Sequence, residues 1–269
     1  MKRAKQLSVL MIDILSRVGI SSPLFSFSSL GQSIDEISGR FKRWEIVAEL
    51  EHCPQIIIQK KDLLFTSGME ITIHAPFSDL NIASLDKRAR EFSVERIDEA
   101  IVAAYEMGGI MVTMHPGFFS PLGFLIPEKI DTLSSDSITR LGARAEDLGV
   151  TLALENMPPW QGSIGDDVED LIKRVEGTGV KICFDVGHAH IGSGVENFIE
   201  RSDLIANVHI HENDGKVDLH LPLGSGQMDV IDIMKRLIKK GYKGPFIIES
   251  RNFEEGVQGL DYLTEHFSD

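Results

Sequence analysis

The feature that most constrains the fold is an alternation of short apolar runs with longer amphipathic segments, continuing from about residue 23 to the C-terminus. Short apolar runs bounded by turn residues read as strands, and apolar residues recurring every three to four positions read as helices with one face on a core. The strand candidates are residues 23–28, 44–51, 69–76, 109–115, 150–157, 181–186, 206–211 and 245–250. Between them, 87–107, 128–148, 168–176 and 228–240 carry helical periodicity, and 253–267 closes the set. Three of these segments run into glycine, at Gly108, Gly149 and Gly241, as helices ending in a left-handed residue do.

Strand followed by helix, repeated, implies a parallel sheet, because parallel strands need crossovers and the helices then cover the sheet. Eight such units favour closure into a single (β/α)8 TIM barrel. The competing open, doubly wound sheet lacks the expected GxGxxG turn after its first strand. A chain of 269 residues with 42% hydrophobic content can bury a core of that size. With no linker or low-complexity tract, one domain over residues 1–269 is expected, with 1–22 as a lead-in helix or strand.

Composition narrows the function. The basic, then apolar N-terminus resembles a leader or anchor, but Asp13 and Arg17 interrupt it, it is shorter than a membrane span, and no small-residue cleavage pattern follows. Cys53 and Cys183 are the only cysteines, so no CxxC site or disulfide framework is present, and reduced thiols in a cytoplasm are expected. The net charge of −14 works against nonspecific binding of polyanions and suits a protein without a membrane partner. Nothing in the composition decides whether the chain self-associates.

The chemistry lies where the strands end. The third candidate ends at His74, the fourth at His115, the fifth at Glu155 and the sixth at Asp185, with His188 three positions on. The seventh reaches His211 and leads to Asp218 and His220, and the eighth ends at Glu249. In a parallel barrel the C-terminal ends of the strands face one cavity, so these residues converge. A lone histidine at a strand end is more often a hydrogen-bonded structural residue. Carboxylates buried after apolar strands need a counter-charge, however, and Lys216 and Arg251 are the nearest cations in sequence. A divalent metal supplies that charge, and imidazole with carboxylate suits Zn, Mn or Mg better than Ca. Glu155, Asp185, His211 and Glu249 form the minimal ligand set, with His74, His115, His188, Asp218 and His220 as further candidates. His209 faces the same way as His211 and is expected in a core or supporting position, and His190 to touch substrate or solvent. Phe77, Phe118, Phe119 and Trp160 follow strands three to five, where aromatics can wall a pocket, and His52 and His266 carry no signal.

These segments resemble the xylose-isomerase-like barrel superfamily, which includes sugar and sugar-phosphate isomerases and epimerases as well as endonuclease IV. The likeness runs from His74 to Glu249 through His74-Ala75-Pro76-Phe77, His115-Pro116-Gly117, Leu154-Glu155-Asn156, Asp185-Val186-Gly187-His188, His211-Glu212-Asn213-Asp214, Asp218-Leu219-His220 and Ile248-Glu249. The isomerase and epimerase branch implies one Mn-like or Mg-like ion on Glu155, Asp185, His211 and Glu249. It also implies Glu155 and Glu249 as catalytic base and acid through an enediolate, with a sugar or sugar phosphate held by His188, His220, Phe77 and Trp160. The endonuclease branch implies three Zn-like ions on all nine ligand-type residues and abasic DNA as substrate. The acidic balance, and a segment 29–40 with a single arginine where a DNA-gripping loop would lie, weigh against the second.

Overall fold

The computed structural model describes residues 14–192 and 194–267. Eight parallel strands close on themselves in chain order, the last pairing with the first. They are β1 (Val18–Ser21), β2 (Arg43–Val47), β3 (Glu70–His74), β4 (Val112–Met114), β5 (Leu152–Glu155), β6 (Lys181–Asp185), β7 (Ile205–Ile210) and β8 (Phe246–Glu249). The barrel expected from the eight alternations is the fold.

The first strand is displaced from its expected place. Residues 23–28 were the candidate, but Pro23–Phe27 is a 3-10 helix with Pro23 in its first turn and Ser22 accepting the Leu24 amide on its side chain. The strand is Val18–Ser21, inside the expected lead-in segment, and pairs from Val18↔Phe246 to Ser21↔Glu249. Proline lacks an amide hydrogen and suits the start of a helix, so it ends the strand run. β2 also stops early, at Val47 rather than residue 51, as Leu50 takes a φ of 47° and opens a 3-10 turn. The apolar stretch up to residue 13 lies outside the described residues.

The long helices follow the periodicity closely. Lys87–Glu106 starts from Asp86, whose carboxylate accepts the Arg88 and Ala89 amides, and Pro127–Leu148 ends at Gly149 with a φ of 67°. Val168–Val175, Val230–Lys239 and Phe253–Phe267 complete the expected set. Asp167 and Asp229 cap the first two of these, each satisfying helix amides that would otherwise lack partners.

Alternation along each strand separates two faces. Trp44, Ile46, Ile73, Val112, Met114, Leu154, Ile182, Phe184, Val208, Ile210, Phe246 and Ile248 face the helices and join one apolar cluster with Ile101, Leu141, Leu171 and Leu237. The residues between them point into the barrel and are largely polar. Glu45 accepts from Thr72 Oγ1 at 2.9 Å and from Asn207 Nδ2 at 2.8 Å, and Asn207 Nδ2 also reaches Thr113 Oγ1 at 3.0 Å. This column leads up the barrel axis to the C-terminal strand ends.

Candidate metal centre

Each ligand-type residue predicted at a strand end reaches the same mouth of the barrel. His74, at the end of β3, donates from Nδ1 to the Ala75 carbonyl at 2.8 Å and turns Nε2 to Glu155 Oε2 at 3.1 Å. His115 Nε2 lies 3.3 Å from the same oxygen, and its ring meets that of His74 edge-on at 4.9 Å. His188 repeats the first pattern: Nδ1 donates to the Asn156 carbonyl at 2.7 Å, and Nε2 faces Asp218 Oδ2 at 3.2 Å. A histidine held through one nitrogen to a backbone carbonyl, with the other turned to a carboxylate, is oriented as a metal ligand usually is.

Asp185 closes β6 and also caps the following helix, accepting the His188 amide on Oδ1 at 2.6 Å. Its backbone is fixed from both sides by Asn156, whose Oδ1 accepts the Asp185 amide at 2.7 Å and whose Nδ2 donates to the Asp185 carbonyl at 2.9 Å. His211 Nε2 lies 3.1 Å from Asp185 Oδ1. On its other face the His211 ring stacks on His220, with centroids 3.9 Å apart. His220 holds a φ of 45°, an uncommon conformation for a residue with a Cβ, and Asp218 Oδ2 accepts from it at 3.1 Å. Gly187 makes room for His211, since a Cβ there would lie 2.1 Å from His211 Cε1.

The side chains sort into groups whose donor atoms lie within 4.8 Å of one another: His74, His115 and Glu155; His188, His211, Asp218 and His220; and Glu155, Asp185, His209 and Glu249. The expected quartet of Glu155, Asp185, His211 and Glu249 is thus split. His209 stands with the three carboxylates, while His211 stands with the second group and touches Asp185 across the boundary. His190 joins none of the groups found among the described residues.

Glu45 was missed by sequence reasoning. It is fully buried on β2 and accepts from His209 Nε2 at 2.8 Å, while His209 Nδ1 lies 3.3 Å from Glu155 Oε1 and 3.1 Å from Glu249 Oε1. The only signal was a carboxylate interrupting the apolar run Trp44-Glu45-Ile46-Val47, at the position that alternation turns inward. His52, passed over as uninformative, is also buried, with its ring edge-on to Trp44 at 5.3 Å.

The electrostatics fit a site that needs positive charge. Burial opposes a charge on His188, but Asp185, Asp218 and Glu155 outweigh it and hold the imidazolium up to about 10. His220 is pushed to about 9 in the same way, against burial, by Asp218 and Glu249. Asp185 resists burial through His188 and His211 and falls to about 2, and Glu155 is lowered chiefly by His209, against a large desolvation cost. Among the nine candidate ligands, three buried atoms still have no hydrogen-bond partner: Asp185 Oδ2, Asp218 Oδ1 and His211 Nδ1. Unsatisfied buried carboxylate oxygens among imidazoles are what a divalent cation would satisfy, so this donor set fits a metal.

Above the carboxylates lies a cavity of about 320 Å³, lined by residues that include Phe77, His115, Glu155, His188, His220 and Glu249. No lysine or arginine is among its lining residues. Arg251, a candidate counter-charge in sequence, is engaged by Glu255 at 2.6 and 2.9 Å. Trp160 stands apart from this cavity, in the wall of a smaller one beside it.

A closed parallel barrel with carboxylates and imidazoles gathered at its C-terminal mouth defines the class, a (β/α)8 barrel with a candidate metal centre. Residues 48–266 match the family model described as xylose isomerase-like TIM barrel, and the chain belongs to that family. A crystal structure of a D-tagatose 3-epimerase-like protein superposes with a TM-score of 0.85 at 34% identity, covering 93% of this chain and 96% of that one. Fructoselysine 3-epimerase of Shigella flexneri is 26% identical over 72% of each chain. A probable endonuclease 4 of Acholeplasma laidlawii is 24% identical over 67% of each. The protein is an enzyme of this family. No helix among the described residues is long and apolar enough to cross a membrane.

Proposed function

We propose that this protein is a divalent-metal-dependent isomerase or epimerase of a sugar or sugar phosphate, with Glu155 and Glu249 as the proton-transfer pair. The observation that carries this reading is the placement of the two carboxylates. They come from β5 and β8, share one group with Asp185, and line a cavity that suits a small molecule and has no lysine or arginine in its lining. Inverting a carbon next to a carbonyl requires removing its proton from one face and returning one to the other, so two acid–base groups are needed. His209 lies within hydrogen-bonding distance of Oε1 of both carboxylates and steadies them from below. Glu155, Asp185 and Glu249 with His211 would hold the ion, which supplies Lewis-acid polarisation of the carbonyl. His188, His220 and Phe77 line the space left for the sugar. Names among the relatives lean the same way, toward epimerases of D-tagatose type and of fructoselysine.

The reading is tested by incubating the Mn-loaded protein with ketoses and ketose phosphates and following products by NMR. An epimer or isomer formed only with metal is the expected result, and no product from any of them counts against the reading.

A second reading is favoured by one specific observation. His74 and His188 are both oriented as ligands, and the groups His74, His115, Glu155 and His188, His211, Asp218, His220 offer places for two more ions. That set suits phosphodiester cleavage of the kind named in the endonuclease 4 relative. Three Zn ions per chain, together with nicking of an abasic duplex that His115→Ala abolishes, would establish it. A single ion per chain after full loading removes it.

A further inference from the structure

Beside the main cavity lies a smaller pocket of about 140 Å³, with Phe77, His115 and Met157 shared between the two. Apart from His115 and Ser163, its lining residues are all apolar; Leu80, Ile82, Phe118 and Trp160 form most of the remaining wall. Phe118 is 37% exposed and Trp160 50%, with ring centroids 6.1 Å apart. Aromatic surface left in water around a concave pocket is surface that an apolar ligand would remove from water.

The walls are fixed in place. Asn81 Oδ1 accepts the Phe118 amide at 3.0 Å and Asn81 Nδ2 donates to the Phe118 carbonyl at 2.9 Å, so the loops after β3 and β4 are tied together. The Phe119 amide donates to the Gly162 carbonyl at 2.8 Å, which joins the loop after β4 to the loop after β5 that carries Trp160. A pocket already held open binds without the cost of ordering its walls. Its volume is also informative, since an apolar cavity of about 150 Å³ takes up a benzene ring.

We propose that this pocket is a subsite for a ring-sized apolar substituent, so that the substrate is a ketose conjugate carrying an aryl or aralkyl group rather than a free ketose. The proposal rests on the sugar-binding reading of the main cavity. The shared wall at Phe77, His115 and Met157 puts the substituent directly beside the sugar.

Calorimetric titration of the full-length, Mn-loaded protein with D-fructose, 1-O-benzyl-D-fructose and 6-O-benzyl-D-fructose tests it. At least one benzyl ether should bind about tenfold or more tightly than D-fructose, as burial of a phenyl group in an apolar site implies. That ratio should fall toward unity in Phe118→Ala, which removes a wall, and in Leu80→Trp, which fills the pocket. Benzyl ethers that bind no better than D-fructose, or whose advantage survives in both variants, overturn the proposal. The two readings fail separately: epimerisation of D-fructose without a benzyl preference removes the subsite alone. A benzyl preference sensitive to both variants, with no product from any of the ketoses and ketose phosphates tried above, leaves the subsite standing and removes the epimerase reading.

Discussion

The two faces of the barrel sheet follow opposite rules. The outer face is apolar without interruption from Trp44 to Ile248 and packs on the helices. The inner face carries Glu45, Thr72, Thr113, Asn207 and His209, each hydrogen-bonded to another of the column. Barrel interiors are more often filled by branched apolar side chains. The difference teaches that the outer face supplies the stability, while the inner face gives up part of it to hold the mouth residues in a fixed geometry.

That division can be broken first at the mouth. Glu249→Gln should slow turnover by about a thousandfold, the scale of a lost acid–base group, while thermal unfolding of the variant stays close to wild type. A variant that keeps its rate would detach the carboxylate from the chemistry. On the outer face the effects should reverse. Phe184 is fully buried and stacks on Phe198 at 4.7 Å, so Phe184→Ala should cost about 3–5 kcal/mol in denaturant unfolding with the rate per folded molecule preserved. Deeper in the inner column, Glu45→Gln keeps the shape but removes the charge facing His209. It should weaken metal affinity by about 10- to 100-fold, the usual consequence of losing a group that orients ligands, measurable by competition with a chelator. No change would limit the column to a packing role.

The smallest effect is expected away from both faces. Burial pushes His52 down to about 4 from 6.5, against a hydrogen bond to the Ser28 backbone. The unfolded chain therefore binds the proton more readily between those values, and stability falls as pH drops through that window. About 2 kcal/mol should be lost between pH 7 and pH 5 through this group, and His52→Asn should flatten that part of the profile. An unchanged slope would place the acid sensitivity elsewhere.

The outer face is also what made the fold legible in the sequence. Apolar runs and helical periodicity put Lys87–Glu106, Pro127–Leu148 and Phe253–Phe267 within a residue or so of their ends, because burial against a single core imposes those patterns. β1 was hidden because Val18–Ser21 is only four residues long and buried throughout, so no alternation distinguished it from the residues before it. At the mouth, residue type and strand-end position were enough to name the ligand candidates. How they group was not readable, since the division of His209 and His211 between two groups depends on ring orientation across neighbouring strands. Glu45 escaped for a related reason: its partner lies 164 positions away, on β7, and meets it only once the barrel is closed.

The most direct test is proton exchange at the substrate carbon. In deuterated water the Mn-loaded protein should wash deuterium into a single C–H next to the carbonyl of a ketose substrate, and protein stripped with a chelator should not. A loaded protein that leaves every such C–H unlabelled, with ketoses and ketose phosphates alike, would contradict the assignment of Glu155 and Glu249 as a proton-transfer pair.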